Sequence, residues 1–177
     1  MNESKISVRY AKALFESASE KGILDEVRED MEELQQVCVI PEFEYLVVTP
    51  VMKESQKCDV VHKIIGNKVN KLTLAMLDLI FRNGREQYLP AIARNYIDLY
   101  KKEKGIISAS ITSAAPLTDM ARKQIEKIIR DAFKSPVELV AESNEKLIGG
   151  FIIRVDDQQY DASVATNLRK VKKQLLT

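Results

Sequence analysis

Lys102-Glu103-Lys104-Gly105-Ile106-Ile107-Ser108-Ala109-Ser110-Ile111-Thr112-Ser113 is the stretch in which the chain changes its hydrophobic period. After Gly105, the residues Ile107, Ala109, Ile111 and Ser113 alternate, which is the pattern of a strand with one buried face. Before it, apolar residues recur every three or four positions, which is the pattern of helices. The change places a domain boundary here. An α-helical domain spans residues 1–104, a small α+β domain spans residues 105–177, and the fold class overall is α+β.

Working back from Gly105, the nearest helix carries Leu89, Ile92, Ala93, Tyr96, Leu99 and Tyr100 on one stripe. Pro90 sits in its first turn, where a missing N–H costs nothing. Lys71 to Arg82 is apolar nearly all round: Leu72, Met76, Leu79 and Ile80 form one side, and Leu74, Leu77 and Phe81 another. Asn83-Gly84 ends that helix. A weaker helix around Lys53 to Ile65 stops at Gly66-Asn67. Pro41 and Pro50 bracket one or two turns over Glu42 to Val48. Leu24, Val27, Met31, Leu34 and Cys38 make a single apolar stripe opposite an acidic face, as in an outer helix. The first helix sets Val8, Ala11, Phe15 and Ala18, with Leu14 beside them, toward the core, and Ile6, Tyr10 and Ala13 on a second line.

Forward from Ser113, Thr118 is a natural N-cap for a helix with Ala121, Ile125, Ile128 and Ala132 as its stripe. Val137, Leu139 and Ala141 alternate again. Gly149-Gly150 opens the apolar run Phe151-Ile152-Ile153-Arg154-Val155 and reads as a tight approach or bulge between strands. Asp156-Asp157-Gln158-Gln159 reads as a hairpin tip and Tyr160-Asp161 as a short return strand. Val164, Leu168, Val171 and Leu175 mark a final helix.

The composition excludes several classes of function. The charges balance, 27 basic against 26 acidic residues, so the whole chain is not drawn toward nucleic acid or anionic lipid. No segment has the makings of a signal peptide or a membrane span. The chain is expected in the cytoplasm, or at a membrane only through a partner. Cys38 and Cys58 lack zinc-site pairing and are expected as free thiols. No phosphate-cradling Gly-Lys-Ser/Thr loop occurs. His62, the only histidine, is read as a solvated surface residue, so neither a metal cluster nor a cofactor is expected. No catalytic constellation of nucleophile, base and orienting group is legible.

Two features ask for more than solvation. The Lys71–Arg82 helix and the two-sided first helix either lie centrally in the bundle or form a groove that accepts a partner helix. Arg169, Lys170, Lys172 and Lys173 on the last helix make a solvated basic face, a contact for an acidic protein, or a weak phosphate surface. No aromatic residues interleave with them, which disfavours stacking on bases.

Three motifs then carry a family resemblance. Arg9-Tyr10-Ala11-Lys12-Ala13-Leu14-Phe15 resembles the opening of ATP synthase delta subunits and of the mitochondrial oligomycin-sensitivity-conferring protein. Asn83-Gly84-Arg85 is similar to the family's mid-chain turn. Leu147 to Val155, followed by Asp161-Ala162-Ser163, resembles its C-terminal signature. The family usually has Asp-Gly-Ser at the last motif, a departure that bears only on whether that turn needs glycine. The motifs fall in order along essentially the whole chain.

The resemblance implies a non-catalytic stator subunit of a bacterial F-type ATP synthase, on the cytoplasmic face of the cell membrane and attached only through the complex. It implies an N-terminal six-helix bundle. A groove between the first and fifth helices of that bundle receives the N-terminal helix of an alpha subunit, with Tyr10, Ala13 and Leu79 lining it. It also implies that the C-terminal domain meets the C-terminal ends of the stalk b subunits, for which Arg169, Lys170, Lys172 and Lys173 are candidate contacts. From another class, the alternative is a cytoplasmic adaptor or RNA-associated module acting through that basic last helix.

Overall fold

Helices occupy the chain before the period change and a sheet follows it. The computed structural model describes residues 5–49, 51–66, 68–144, 147, 149–155 and 158–175. Among these, α1 (Lys5–Lys21), α2 (Leu24–Cys38), α3 (Pro41–Val48), α4 (Glu54–Ile65), α5 (Lys71–Arg82) and α6 (Leu89–Lys104) come first. A 3-10 turn, Glu86–Tyr88, leads into α6. Then follow β1 (Ile107–Ser113), α7 (Asp119–Phe133), β2 (Val137–Ser143), β3 (Phe151–Val155), β4 (Gln158–Asp161) and α8 (Val164–Leu175). The fold is α+β. The chain divides into two compact units, Met1–Tyr100 and Lys101–Thr177, with the division in the last turn of α6.

In the first unit each helix buries one face. α2 buries Val27, Met31 and Leu34 of its expected stripe, while Leu24 and Cys38 are half-buried. α6 buries Leu89, Ile92, Ala93 and Tyr96. The Phe15 ring lies 5.8 Å from that of Tyr96, whose hydroxyl donates to the Leu24 carbonyl at 3.2 Å. α1 differs from expectation, because its buried face is Ser7, Ala11, Leu14 and Ala18 and Val8 is exposed. The reason is polar. Ser7 Oγ accepts a buried hydrogen bond from Asn95 Nδ2 at 3.1 Å, which turns the helix toward α6 on that side.

Two buried polar contacts lock the helices in phase. Asp30 of α2 accepts from the Asn70 N–H at 2.9 Å and from Thr73 Oγ1 at 2.5 Å, at the start of α5. Burial pushes its carboxyl up, against the lowering effect of those two hydrogen bonds. Lys57 of α4 donates to Glu86 Oε1 at 2.8 Å and to the Val47 carbonyl at 2.9 Å. It therefore joins α4, the 3-10 turn and the end of α3 in the interior.

The second unit is a four-stranded sheet in the order β2-β1-β3-β4. β1 and β2 run parallel, with α7 as the crossover. β3 is antiparallel to both β1 and β4. Ala109, Ile111, Leu139 and Ile129 form the core, flanked by Leu117, Ile125, Val137, Ile153 and Val155. On α7 the inward residue is Ile129, whereas the expected Ile128 is exposed. A shift of one residue along a helix turns a side chain by about 100°, so the core line runs Ala121, Ile125, Ile129. Val155 pairs with Gln158, so Gln158 and Gln159 belong to β4 rather than to the hairpin tip. Asp156 and Asp157 lie outside the described residues.

Removing one half of the Lys57–Glu86 pair leaves a buried charge alone, which costs about 3–5 kcal/mol. Lys57→Ala is expected to lower the stability of the full chain by that order in urea denaturation. Lys57→Met combined with Glu86→Leu is expected to lose much less. Equal losses for the single and double variants would show that the pair is not held in the interior.

Candidate functional site

Tyr10 and Ala13 stand three residues apart on α1, and Leu79 and Asn83 four apart at the end of α5, so each pair shares one helix face. α1 packs against α5. The Tyr10 hydroxyl accepts a hydrogen bond from Asn83 Nδ2 at 3.0 Å, which draws these two faces side by side. Ala13 is exposed, Tyr10 half-buried, and Leu79 retains 49% of its accessible surface although α5 buries Met76, Leu77, Ile80 and Phe81. Both helices have thus filled the core and still present apolar surface outward. A cavity of ≈ 320 Å³, lined by Ile6, Arg9, Tyr10, Asn83 and Arg85, lies at the Tyr10–Asn83 end.

The Asn83-Gly84-Arg85 turn sets this arrangement. Gly84 has φ +60, the left-handed value that a side chain disfavours. The Gly84 N–H donates to the Phe81 carbonyl and the Arg85 N–H to the Ile80 carbonyl, both at 2.9 Å, closing the last turn of α5. Reading Asn83 as a helix stop missed its side-chain bond to Tyr10. The two residues are 73 positions apart, and nothing in local spacing announces the pair.

The C-terminal signature also has a physical basis. Gly150 has φ +81, and a Cβ there would strike the Ala162 carbonyl and Ser163 Cα, so this glycine permits a close backbone approach. The Ala162 N–H donates to the Phe151 carbonyl and the Val164 N–H to the Gly149 carbonyl, both at 3.0 Å. Ser163 Oγ accepts from the Thr166 N–H at 3.3 Å and caps α8. Asp161 accepts from the Ser163 N–H and from Thr166 Oγ1, each at 2.8 Å. Ala162 has no positive φ, so alanine in place of the family's usual glycine is tolerated. Arg169 and Lys172 of α8 are exposed, and the side chains of Lys170 and Lys173 lie outside the described residues. A separate convergence of Cys58, His62 and Asp78 lies between α4 and α5.

The profile of the ATP synthase delta (OSCP) subunit family matches residues 6–175. The chain belongs to this family. It is 32% identical over 175 residues to ATP synthase subunit delta of Cytophaga hutchinsonii, covering 97% of this chain and 94% of that one. It is 33% identical over 173 residues to the subunit delta of Phocaeicola vulgatus, covering 97% and 94%. Its structure resembles a chain of the Toxoplasma gondii mitochondrial ATP synthase hexamer with a TM-score of 0.81 and 25% identity, over 98% of this chain and 99% of that one. As a family member it is a non-catalytic, peripheral-stalk subunit of ATP synthase, a membrane-associated complex. No helix of the described residues is long and apolar enough to cross a membrane. The adaptor or RNA-associated alternative has no support in these likenesses.

Hydrogen bonds from the Ser163 side chain and backbone, and from Thr166, hold the Asp161 carboxyl below its ordinary value of 3.8. A depressed carboxyl stabilises the folded state fully above the unfolded value and loses that contribution as pH falls below it. Asp161→Asn is therefore expected to melt below wild type at pH 7, with the difference shrinking as pH falls through 3.8. Thermal melts from pH 7 to pH 3 check this, and a gap that stays constant would remove the charge from the α8 cap.

Proposed function

We propose that the α1–α5 face holds the N-terminal helix of an ATP synthase alpha subunit, with Tyr10, Ala13 and Leu79 in contact with it. The observation that carries this reading is the exposure of Leu79 and Ala13 on two packed helices whose cores are already filled. An amphipathic helix laid in such a groove buries its apolar face there. Ala13 is small enough for a close backbone approach. Residues 105–177 meet the C-terminal ends of the b subunits of the stalk, with Arg169, Lys170, Lys172 and Lys173 as the basic contact. The complex sits on the membrane with this chain on its cytoplasmic face, bound through its partners alone.

The physical role follows from this placement. A rotor turning inside the catalytic head drags the head with it, and the tether must oppose that torque for ATP to form. A tether needs slow dissociation and no chemistry. A nanomolar contact corresponds to about −12 kcal/mol.

Ala13→Glu would bury a charge without a counter-ion and is expected to weaken binding of a peptide copying the alpha-subunit N-terminus by several kcal/mol, on the order of a hundredfold or more. Folding is expected to survive, since Ala11, Leu14 and Ala18 still fill the core. Calorimetric titration alongside thermal melting checks both. Unchanged affinity would take Ala13 out of the site, and a collapsed fold would return it to the core.

We also propose that residues 1–104 are an independently folding six-helix bundle. Limited proteolysis near Gly105 is expected to release a fragment that keeps a helical circular dichroism spectrum. A fragment that loses its helicity would refute the boundary.

A further inference from the structure

We propose that Cys58, His62 and Asp78 form a site for one divalent transition-metal ion of the zinc class, bridging α4 to α5. Cys58 and His62 are four residues apart on α4 and so lie one turn apart on one face. Asp78 comes from the neighbouring α5. Its Oδ1 is 3.3 Å from Cys58 Sγ and 2.6 Å from His62 Nε2, and the three ligand atoms lie within 4.8 Å of one another.

An exposed His–Asp pair by itself is common and weak. Here a thiol converges on the same carboxylate oxygen, so three different metal-binding groups already meet at one point. Around a tetrahedral ion with bonds of about 2.0–2.3 Å, neighbouring ligand atoms stand roughly 3.3–3.8 Å apart. The three atoms reach that geometry by moving about an ångström, within the play of surface side chains. Thiolate, imidazole and carboxylate together favour zinc-like ions over magnesium or calcium, which prefer oxygen alone.

The site opens on a cavity of ≈ 600 Å³ lined by Cys58, Asp59, His62, Lys63 and Asp78, which gives an entry path and room for water as a fourth ligand. Asp59 adds a second carboxylate at its rim. Burial, together with Asp78 and the charge of Asp59, pushes the Cys58 thiol up to about 11, so without metal it keeps its proton. On binding, that proton leaves to solvent. His62 gives its Nε2 lone pair to the ion and carries its ring proton on Nδ1, and Asp78 remains a carboxylate. The ion would staple α4 to the helix that carries Leu79. The inference does not depend on the α1–α5 groove.

The test uses the full chain, reduced and freed of metal, titrated with zinc and separately with cobalt(II). One zinc per chain is expected, with a raised melting temperature. A thiolate-to-cobalt charge-transfer band is expected to persist in Cys38→Ser and vanish in Cys58→Ser. Cys58→Ser, His62→Gln and Asp78→Asn are each expected to weaken zinc binding by about tenfold or more. All three lie at or near the surface, and circular dichroism verifies their folding. No stoichiometric binding, or binding indifferent to these three changes, would overturn the site. Binding that depends on His62 and Asp78 without a thiolate band would also overturn it, since Cys58 would then not be a ligand.

Discussion

The carboxylate of Asp30, buried against the start of α5, fixes how the helices of the first unit face one another. The first N–H groups of a helix have no partner within it and carry its positive end. Asp30 accepts from one of them, at Asn70, and from the Thr73 hydroxyl, so α5 can begin at only one place and rotation against α2. Asn70 closes the cap by accepting from the Leu72 N–H. With the start fixed, the helical period settles the rest. Met76, Leu77, Ile80 and Phe81 turn inward and Leu79 is left outside. The Gly84 turn and the Tyr10–Asn83 bond fix the other end. The outward apolar face of α1 and α5 is thus a consequence of polar anchoring at both ends of α5.

Much of this was legible in the sequence, because period is a backbone property. The change at Gly105, the helix stops at Gly84 and Gly66, and the buried line of β1 all follow from spacing. What spacing could not resolve was rotation by one residue. Val8 and Ser7 are neighbours, and a hydrophobic count prefers Val8. A hydrogen bond from Asn95, 88 positions away, put Ser7 inside. Ile128 and Ile129 are equally apolar, and only the position of the sheet chooses Ile129. Lys57 was hidden for the same reason, since its buried partner Glu86 comes from a different segment.

The candidate sites divide in the same way. The two-sidedness of α1 and α5 is visible as an excess of apolar residues, with Tyr10 and Ala13 on the second line of α1, whereas the choice of Leu79 and of a helix as the occupant came from the family resemblance. Asn83 and the cavity at the Tyr10 end could not, because they depend on how two distant helices pack. Cys58 and His62 were one turn apart in plain view. They became a candidate ligand set only when α5 brought Asp78 to the same place. A pair of residues on one helix says little until a third group arrives from another.

The second unit folds around a small core and leaves apolar side chains on its surface. Among its described residues, the buried apolar core is Ala109, Ile111, Ile129 and Leu139, small for a unit of this length. Met120, Ile128 and Phe133 on α7 and Leu168 on α8 are exposed. The outer strands β2 and β4 bury little. Apolar surface left exposed on a small unit is stabilisation that a partner can add by covering it, less the cost of association. Any partner that covered α7 and α8 would raise the stability of this unit by mass action, by an amount that grows with the logarithm of its concentration over its Kd. A stator joint built this way would gain stability on assembly, which is the state in which it must resist torque.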